Sequence, residues 1–294
     1  MKHTELAATA LALSSLKGIG PASLKKHVHL FTSFGSNGTK DNVSLFLEKF
    51  KKEFSTDEIN NAIKQSEEIL ISCEKENITV ISIGDSAYPS LLFEIKDPPP
   101  IIYCKGNLDA MAKVVAIVGT REPNRNGETI AERISTFFVT RNWSICNGLA
   151  DGIDSCAIKN STGYFDKTIG ILGGGIDYKN KNTLLKNVQK NADFILERNG
   201  LLVSEYPPDK KEDILSVIKS CRLQAGLSQG LVLIQSSIEG GSKYTIKAFS
   251  ELKRNLAFIY PLQKDYLLNS YSANKLLAEK DVQGLAEIID AKVE

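Results

Sequence analysis

The chain has 294 residues, of which 42% are hydrophobic and 24% are charged, and its 36 basic and 35 acidic residues give a net charge of +1. These values are typical of a folded globular protein, and they exclude a disordered chain and a strongly cationic binder. No apolar run reaches the ~18 residues that a membrane-spanning helix needs, so no membrane association is expected.

Helical patterns fill the first 75 residues. Leucines at 11, 13 and 16 precede Gly18-Ile19-Gly20-Pro21, and further apolar residues follow at helical spacing. This predicts one helix on each side of the glycine turn, and two more helices over 43–54 and 56–75. We expect residues 1–75 to form a small helical domain that resembles a helix-hairpin-helix or SAM module.

The glycine turn in this domain is a candidate nucleic-acid contact. Gly18 and Gly20 leave backbone amides open, and Lys17 and Lys25 lie beside them. Residues 1–53 contain eight lysines and four acids, a local charge of +4 that can hold a phosphate backbone without reading its sequence. A helical packing module with solvated lysines is the alternative.

From residue 78 onward, short β-branched runs alternate with helical patterns. This alternation predicts an α/β fold with a mostly parallel sheet and helices on both faces, since strands buried on both sides are apolar throughout. Eight strands are predicted, over 78–83, 101–104, 114–118, 144–146, 168–172, 201–203, 231–234 and 256–259. Helices are predicted between most of them, over 126–142, 155–161, 184–191 and 244–253.

Glycine-rich turns follow four of the predicted strands. Glycine lets backbone amides approach an anion closely, and a following helix start adds N–H donors. Four such turns at the carboxyl edge of one parallel sheet would line a phosphate-binding crevice, whereas each turn alone is also explained by tight packing. The candidate phosphate-binding residues in these turns are Gly119, Thr120, Arg121, Gly148, Gly173, Gly174, Gly240, Gly241, Ser242 and Lys243.

A basic stretch overlaps the last of these turns. Residues 219–254 contain six basic and two acidic residues, a local charge of +4, and they add Lys219 and Arg222 as candidate phosphate contacts. Neither a dinucleotide fingerprint (Gly-x-Gly-x-x-Gly) nor a Walker loop is present.

No metal site, cofactor or cysteine nucleophile is expected. The chain has no Cys-x-x-Cys pair, and its three histidines all lie within the first 30 residues, far from the cysteines. The five widely spaced cysteines predict free thiols in a reducing compartment, and hence a cytoplasmic location.

Several motifs occur in the order of the DNA-processing protein family DprA/Smf, and the resemblance runs from about residue 13 to about residue 284. The motifs are Gly18-Ile19-Gly20, Tyr88-Pro89 with Asp97-Pro98-Pro99 and Tyr103 to Asn107, Val115 to Arg121, Asn147 to Asp154, Gly173 to Asp177, Ser204 to Pro208, Cys221 to Ser228, and Gly241-Ser242 with Thr245. The chain departs from the family pattern at Asp151 (family Arg), Cys221 (family Asn) and Gln235 (family acid).

The resemblance implies an extended Rossmann domain over residues 76–294, with no winged-helix domain after it. It also implies a DNA-binding protein rather than an enzyme. The expected partners are single-stranded DNA, a second copy of the chain through the Rossmann domain, and a RecA-type recombinase that receives the DNA, as in natural transformation. Arg121, Lys219 and Arg222 would clamp the phosphates.

A nucleotide-binding protein is the alternative function. Phosphoribohydrolases of the LOG type share the predicted SLOG-type Rossmann sheet, but their Pro-Gly-Gly-x-Gly-Thr-x-x-Glu pattern is only partly matched by Glu239 to Thr245. Asp154 and Glu205 are the acids that such an enzyme could use, although structural carboxylates explain both. A sensor of a nucleotide signal in phage defence is a related alternative.

Overall fold

The computed structural model describes residues 3–34, 38–159 and 163–280. It begins with four helices and a 3-10 turn. The helices are α1 (Glu5–Ser15), α2 (Pro21–Lys26), α3 (Thr39–Phe50) and α4 (Thr56–Lys75), with a 3-10 turn over Val28–Ser33. The Thr4 side chain caps α1, and Ser55 and Glu58 form a reciprocal capping box at α4. The 43–54 prediction for α3 lies four residues too late, because Lys51 adopts a left-handed conformation and ends the helix at Phe50.

A single sheet of eight strands forms the centre of the molecule, and each strand lies where the apolar runs predicted it. The strands are β1 (Thr79–Ser82), β2 (Ile101–Gly106), β3 (Val114–Val118), β4 (Ser144–Asn147), β5 (Thr168–Leu172), β6 (Leu201–Ser204), β7 (Gly230–Leu233) and β8 (Asn255–Phe258). Their order is β1-β2-β6-β5-β4-β3-β7-β8. β2 pairs antiparallel with β1 and β6, and every other pairing is parallel, so the mostly parallel α/β fold is confirmed.

Eight further helices connect and cover the strands. They are α5 (Ser90–Phe93), α6 (Arg125–Val139), α7 (Ile153–Ile158), α8 (Tyr178–Lys181), α9 (Lys186–Leu196), α10 (Ile214–Leu227), α11 (Ser242–Ser250) and α12 (Ser272–Glu279). The predicted helix over 155–161 corresponds to α7, and its end at 160–161 lies outside the described residues, as do the last 14 residues of the expected Rossmann domain, 281–294. Residues 223–227 of α10 are all buried, so this helix lacks the apolar stripe by which a surface helix is recognised in sequence.

The N-terminal helices pack directly on the sheet. Leu13, Phe46 and Leu70 belong to the same buried cluster as Val80 of β1 and Tyr103 of β2. None of the helices in the described part of the chain is long and apolar enough to cross a bilayer. The core of the molecule is therefore continuous from the helices before Lys75 to the antiparallel end of the sheet.

Four helices return to the sheet through the same backbone device. A residue with positive φ lies two positions before β1, β4, β6 and β8; these residues are Asn77, Asn142, Asn199 and Lys253. Asparagine tolerates this left-handed conformation better than most residues, and it ends a helix by turning the chain sharply. Each of these turns lies at the edge of the sheet where the following strand begins. The turns that follow the parallel strands lie at the opposite edge, formed by the carboxyl ends of the strands.

Candidate nucleic-acid interface

The strand order reverses between β3 and β7. From β3 the chain continues through β4, β5 and β6 on one side, whereas β7 and β8 lie on the other. In open α/β sheets, ligands bind outside the carboxyl ends of the strands at such a switch point. Here the turn after β3, with Gly119 to Arg121, lies beside the segment after β7, with Gln235 to Ser242.

Two hydrogen bonds join these two segments. The Thr120 amide donates to the Gln235 carbonyl at 2.7 Å, and the Ser242 hydroxyl donates to the Gly119 carbonyl at 3.0 Å. A Cβ at position 119 would lie 2.5 Å from the Ile153 side chain, so only glycine permits this approach. The structure thus brings the predicted residues of two separate turns, 119–121 and 240–242, together at the switch point.

The turn after β4 packs against the β3 turn at the switch point. The Ile153 amide donates to the Thr120 carbonyl at 3.1 Å. Gly152 has φ +76°, and a Cβ there would overlap the Thr120 oxygen. Leu149 also has a positive φ, +59°, stabilised by its amide's hydrogen bond to the Asn147 side chain at 3.1 Å. The β4 turn is therefore rigidly positioned by contacts along its whole length.

A buried carboxylate occupies the inside of the β4 turn. Asp154 is 7% exposed, and its Oδ2 accepts hydrogen bonds from the amides of Gly148 at 3.1 Å and Ala150 at 3.3 Å. Burial raises the pKa of Asp154 to about 7, although the two amides and the charge of Arg121 oppose this rise. The Gly148 amide, predicted to hold a phosphate, is thus bound to a carboxylate of the protein itself.

The glycines after β5 are buried. A Cβ on Gly173 would lie 2.6 Å from the Val217 side chain, and one on Gly174 would lie 2.6 Å from the Thr183 oxygen. Both glycines let the turn pack closely against the start of α10 and the segment before α9. Both glycines are therefore buried inside the carboxyl edge of the sheet and are not exposed to a ligand.

Two of the predicted cations form ion pairs within the protein. Arg222 donates two hydrogen bonds to the Glu205 carboxylate and one, from Nε at 2.9 Å, to Asp97. Lys219 lies 3.3 Å from the second oxygen of Glu205 and is about half exposed. These two cations therefore face two acids, and the four charges balance.

Arg121 and Lys243 are the predicted cations that face outward at the switch point. Arg121 is exposed and forms no salt bridge within the described part of the chain. Lys243 is half-buried, with its ammonium 5.2 Å from the Tyr244 ring centre. Next to it, Gly241 is exposed, and a Cβ there would meet no atom within 4 Å. The surface between Arg121 and the start of α11 is thus open, and it carries the cations Arg121 and Lys243 beside the exposed acids Glu122 and Glu239.

The N-terminal glycine turn lies on the surface of the helical part. Lys17 and Gly18 are exposed, Gly20 is half-buried, and the Lys17 carbonyl accepts a hydrogen bond from Lys52 at 2.7 Å. Lys25 donates to the Ile95 carbonyl at 2.6 Å, two residues before the Asp97 that pairs with Arg222. The loop around residue 95 therefore connects this turn with α10.

Sequence reasoning missed two features of this region. The Gln235 side chain is buried, and it accepts from the Asn124 amide at 3.1 Å and donates to Ser270 at 2.7 Å, so it ties the β3 turn in place. Large apolar side chains are exposed in the segment after β8. They are Tyr260, Leu262, Tyr266, Leu267 and Leu268, called here the β8 apolar surface. The sequence signal for this surface is weak, because Gln263 to Asp265 separate its apolar residues and no helical or strand periodicity relates them.

The cysteines are free thiols whose burial makes them poor nucleophiles. All five lack a disulfide partner, and burial raises the pKa of Cys104 to about 12 and that of Cys221 to about 11.

Comparison with known proteins places the chain among DNA-processing proteins. A family model described as DNA recombination-mediator protein A matches residues 79–290. The DNA processing protein DprA of Bacillus subtilis is 30% identical over 181 residues, 60% of this chain and 59% of that protein. The protein Smf of Synechocystis is 30% identical over 259 residues, 84% of this chain and 62% of that protein. The alignments thus span about three fifths of each relative.

Solved structures share the fold. DprA from Streptococcus pneumoniae superposes with a TM-score of 0.68 at 24% identity, over 95% of this chain and 94% of that one. DprA from Helicobacter pylori, for which a single-stranded DNA binding mode is described, gives a TM-score of 0.60 at 23% identity, over 74% and 95%. The family model matches well over half of the length of this chain. The chain therefore belongs to the DprA/Smf family of DNA recombination-mediator proteins.

Proposed function

We propose that this protein binds single-stranded DNA along the carboxyl edge of its sheet, with Arg121 as the principal phosphate contact. The observation that carries the proposal is the position of Arg121, which is exposed and follows β3 directly at the switch point. The binding of single-stranded DNA by the Helicobacter pylori relative supports the choice of ligand.

The neighbouring groups suit a phosphate backbone. The start of α11 offers the backbone amide of Ser242, whereas the Lys243 amide already donates to the Gly240 carbonyl at 3.2 Å. Gly240 is half-buried, and the exposed Gly241 lets a strand approach closely. The Arg121 guanidinium can bind a second phosphate with two hydrogen bonds. Gly119 and Thr120 hold the β3 turn in position, as Gly148, Gly173 and Gly174 do for their turns. Binding of this kind is tolerant of sequence and sensitive to salt.

Two further groups of residues extend the proposed path of the strand. Lys219 lies at the border of the edge, where its half-exposed ammonium can turn from Glu205 to a phosphate while Arg222 stays paired. Lys17, Gly18, Gly20 and Lys25 form a secondary contact on the N-terminal helices, which would meet a part of the strand beyond the edge of the sheet.

The protein partners are a second copy of the chain and a RecA-type recombinase. The β8 apolar surface suits a homodimer contact, because its five large side chains are 40–92% exposed and the rings of Tyr260 and Tyr266 lie 6.3 Å apart. In this proposal the dimer protects single-stranded DNA and delivers it to the recombinase during recombination or transformation.

The nucleotide-hydrolase alternative has less support. Its candidate acid Glu205 is 5% exposed and bound by both Arg222 and Lys219, so it is not available to a substrate. Without Glu205, Asp154 is the only one of the two candidate acids that remains for a hydrolase.

A salt series of DNA binding tests the proposal. Fluorescence anisotropy with a labelled 20-nucleotide single strand is recorded from low to high salt, for the wild type, Arg121→Ala and the matched control Arg133→Ala on the exposed face of α6. We expect Arg121→Ala to weaken binding and to lower the salt slope by about 1, the loss of one phosphate contact. Arg133→Ala should match the wild type. Equal binding by the wild type and Arg121→Ala would overturn the assignment of the site, and absence of binding by the wild type would overturn the function.

A further inference from the structure

One oxygen of the buried Asp154 carboxylate has no partner among the described residues. Oδ2 accepts from the amides of Gly148 and Ala150, whereas Oδ1 accepts no hydrogen bond from this part of the chain. The residue is 7% exposed, yet Oδ1 is not among the fully enclosed side-chain atoms that lack a hydrogen-bond partner, so this oxygen is not completely covered by the protein. Oδ1 is therefore open to a group that donates a hydrogen bond.

The carboxyl group lies next to the proposed phosphate site. Its neighbour Ile153 donates its amide to Thr120, one residue before Arg121. The Arg121 backbone lies against Gly152, two residues before Asp154, and the Arg121 charge opposes the rise in the pKa of Asp154 that burial causes. A strand whose phosphate is held by Arg121 would thus bring its adjoining sugar and base within reach of Asp154.

The charge of the carboxylate restricts what it can contact. A phosphate would be repelled, and the deoxyribose of an internal nucleotide carries no hydroxyl donor, so the only donors that the strand itself offers are the N–H groups of its bases. Cytosine offers an exocyclic amino group, which Asp and Glu side chains accept in protein–DNA complexes. Thymine offers a single N–H between two carbonyl oxygens, which a carboxylate would repel.

We propose that Asp154 reads the bound strand through Oδ1 and favours bases with an exocyclic amino group over thymine. This inference rests on the proposed single-stranded DNA binding and adds base preference to it. Arg121 and the start of α11 would set affinity for the backbone, and Asp154 would select among bases. An unpaired strand is required, because the exocyclic amino groups of a duplex are occupied by base pairing.

Two oligonucleotides of equal length test the preference. Binding of 20-mers of dC and dT is measured at pH 8, where Asp154 is ionised and dC does not form structures that need protonated cytosine. We expect the wild type to bind dC about tenfold more tightly than dT. An oligonucleotide of N4,N4-dimethylcytosine, which lacks the amino donor, should bind the wild type no better than dT does.

Asp154→Asn provides the matched variant. Its side-chain oxygen can keep the two amide hydrogen bonds, and its NH2 group then takes the place of Oδ1, so that a donor replaces the free acceptor. We expect the dC preference to disappear or to reverse toward dT. Arg121→Ala should weaken binding of both oligonucleotides equally and leave their ratio unchanged.

The outcomes separate the two proposals. Equal affinity of the wild type for dC, dT and the dimethylated oligonucleotide would overturn the role of Asp154 and leave single-stranded DNA binding intact. An unchanged ratio in a folded Asp154→Asn variant would do the same. If the wild type binds none of the three oligonucleotides, both proposals fail. The dimethylated oligonucleotide needs no variant, so the test also stands if Asp154→Asn does not fold.

Discussion

Arg222 donates two hydrogen bonds to the Glu205 carboxylate, at 2.5 and 2.8 Å, and so joins α10 to the end of β6. The pair is withdrawn from water, with 13% of the Arg222 side chain and 5% of the Glu205 side chain exposed. Burial opposes the charge of Arg222, but the hydrogen bonds and charges of Glu205 and Asp97 outweigh it and raise the pKa of the guanidinium. Arg222 is therefore bound within the protein, although its residue type and position suggested a phosphate contact.

Loss of Arg222 is expected to destabilise the fold. Arg222→Ala leaves the buried Glu205 carboxylate without its main partner, which costs about 3–5 kcal/mol of the free energy of unfolding. Lys219→Ala removes a half-exposed ion pair and should cost less than about 1 kcal/mol. Urea unfolding monitored by circular dichroism measures both variants. Similar stability of the two variants would contradict the structural role of Arg222.

Stability should depend on pH through Asp154. Because burial raises the pKa of this group from 3.8 to about 7, the folded protein retains a proton that the unfolded chain has released. The group's contribution to stability is therefore fully present below pH 3.8 and is lost as the pH rises through 7. For about three pKa units the loss amounts to about 4 kcal/mol.

Asp154→Asn removes this titration and supplies the comparison. Urea unfolding of the wild type and the variant at pH 5, 6, 7 and 8 should show the difference in free energy moving in favour of the variant as the pH rises. Parallel pH profiles of the two proteins would contradict the raised pKa.

The β8 apolar surface is expected to hold the dimer together. Leu267 is 92% exposed in the single chain, and an aspartate there would place a charge in the proposed contact. We expect the wild type to be a dimer by light scattering after size-exclusion chromatography and Leu267→Asp to be a monomer. Ile71→Asp, at a 53% exposed site on α4, is the matched control and should remain dimeric. A monomeric wild type would contradict the proposed dimer.

Gly152 is expected to be essential to the geometry of the switch point. Its φ of +76° and the overlap of an added Cβ with the Thr120 oxygen predict that Gly152→Ala forces the β3 and β4 turns apart. The variant should unfold at lower urea concentration and bind DNA more weakly. Gly241→Ala, at a helical φ of −59° with no atom near the added Cβ, should unfold like the wild type. Equal stability of the two variants would argue against a steric role for Gly152.

The sheet was predictable because its signal is local. Runs such as Val114–Val118 are apolar throughout, and a strand buried on both faces needs nothing else to be recognised. The α10 helix was not predicted, because Leu223 to Leu227 are all buried and the helix therefore shows no polar face in that half. The glycine turns were located correctly in the chain, since glycine marks places of close approach whatever lies opposite.

The amino-acid sequence by itself determined the succession of strands and turns, and the order of motifs that the chain shares with its family, because these depend on neighbours in the chain. Only the tertiary structure decided which charged groups remain open to a ligand. Asp97 and Arg222 are 125 residues apart in sequence yet hydrogen-bonded in the fold, and Gly148 donates its amide to Asp154. Whether a cation or an amide can meet a phosphate depends on such partners, which folding brings together from distant parts of the chain.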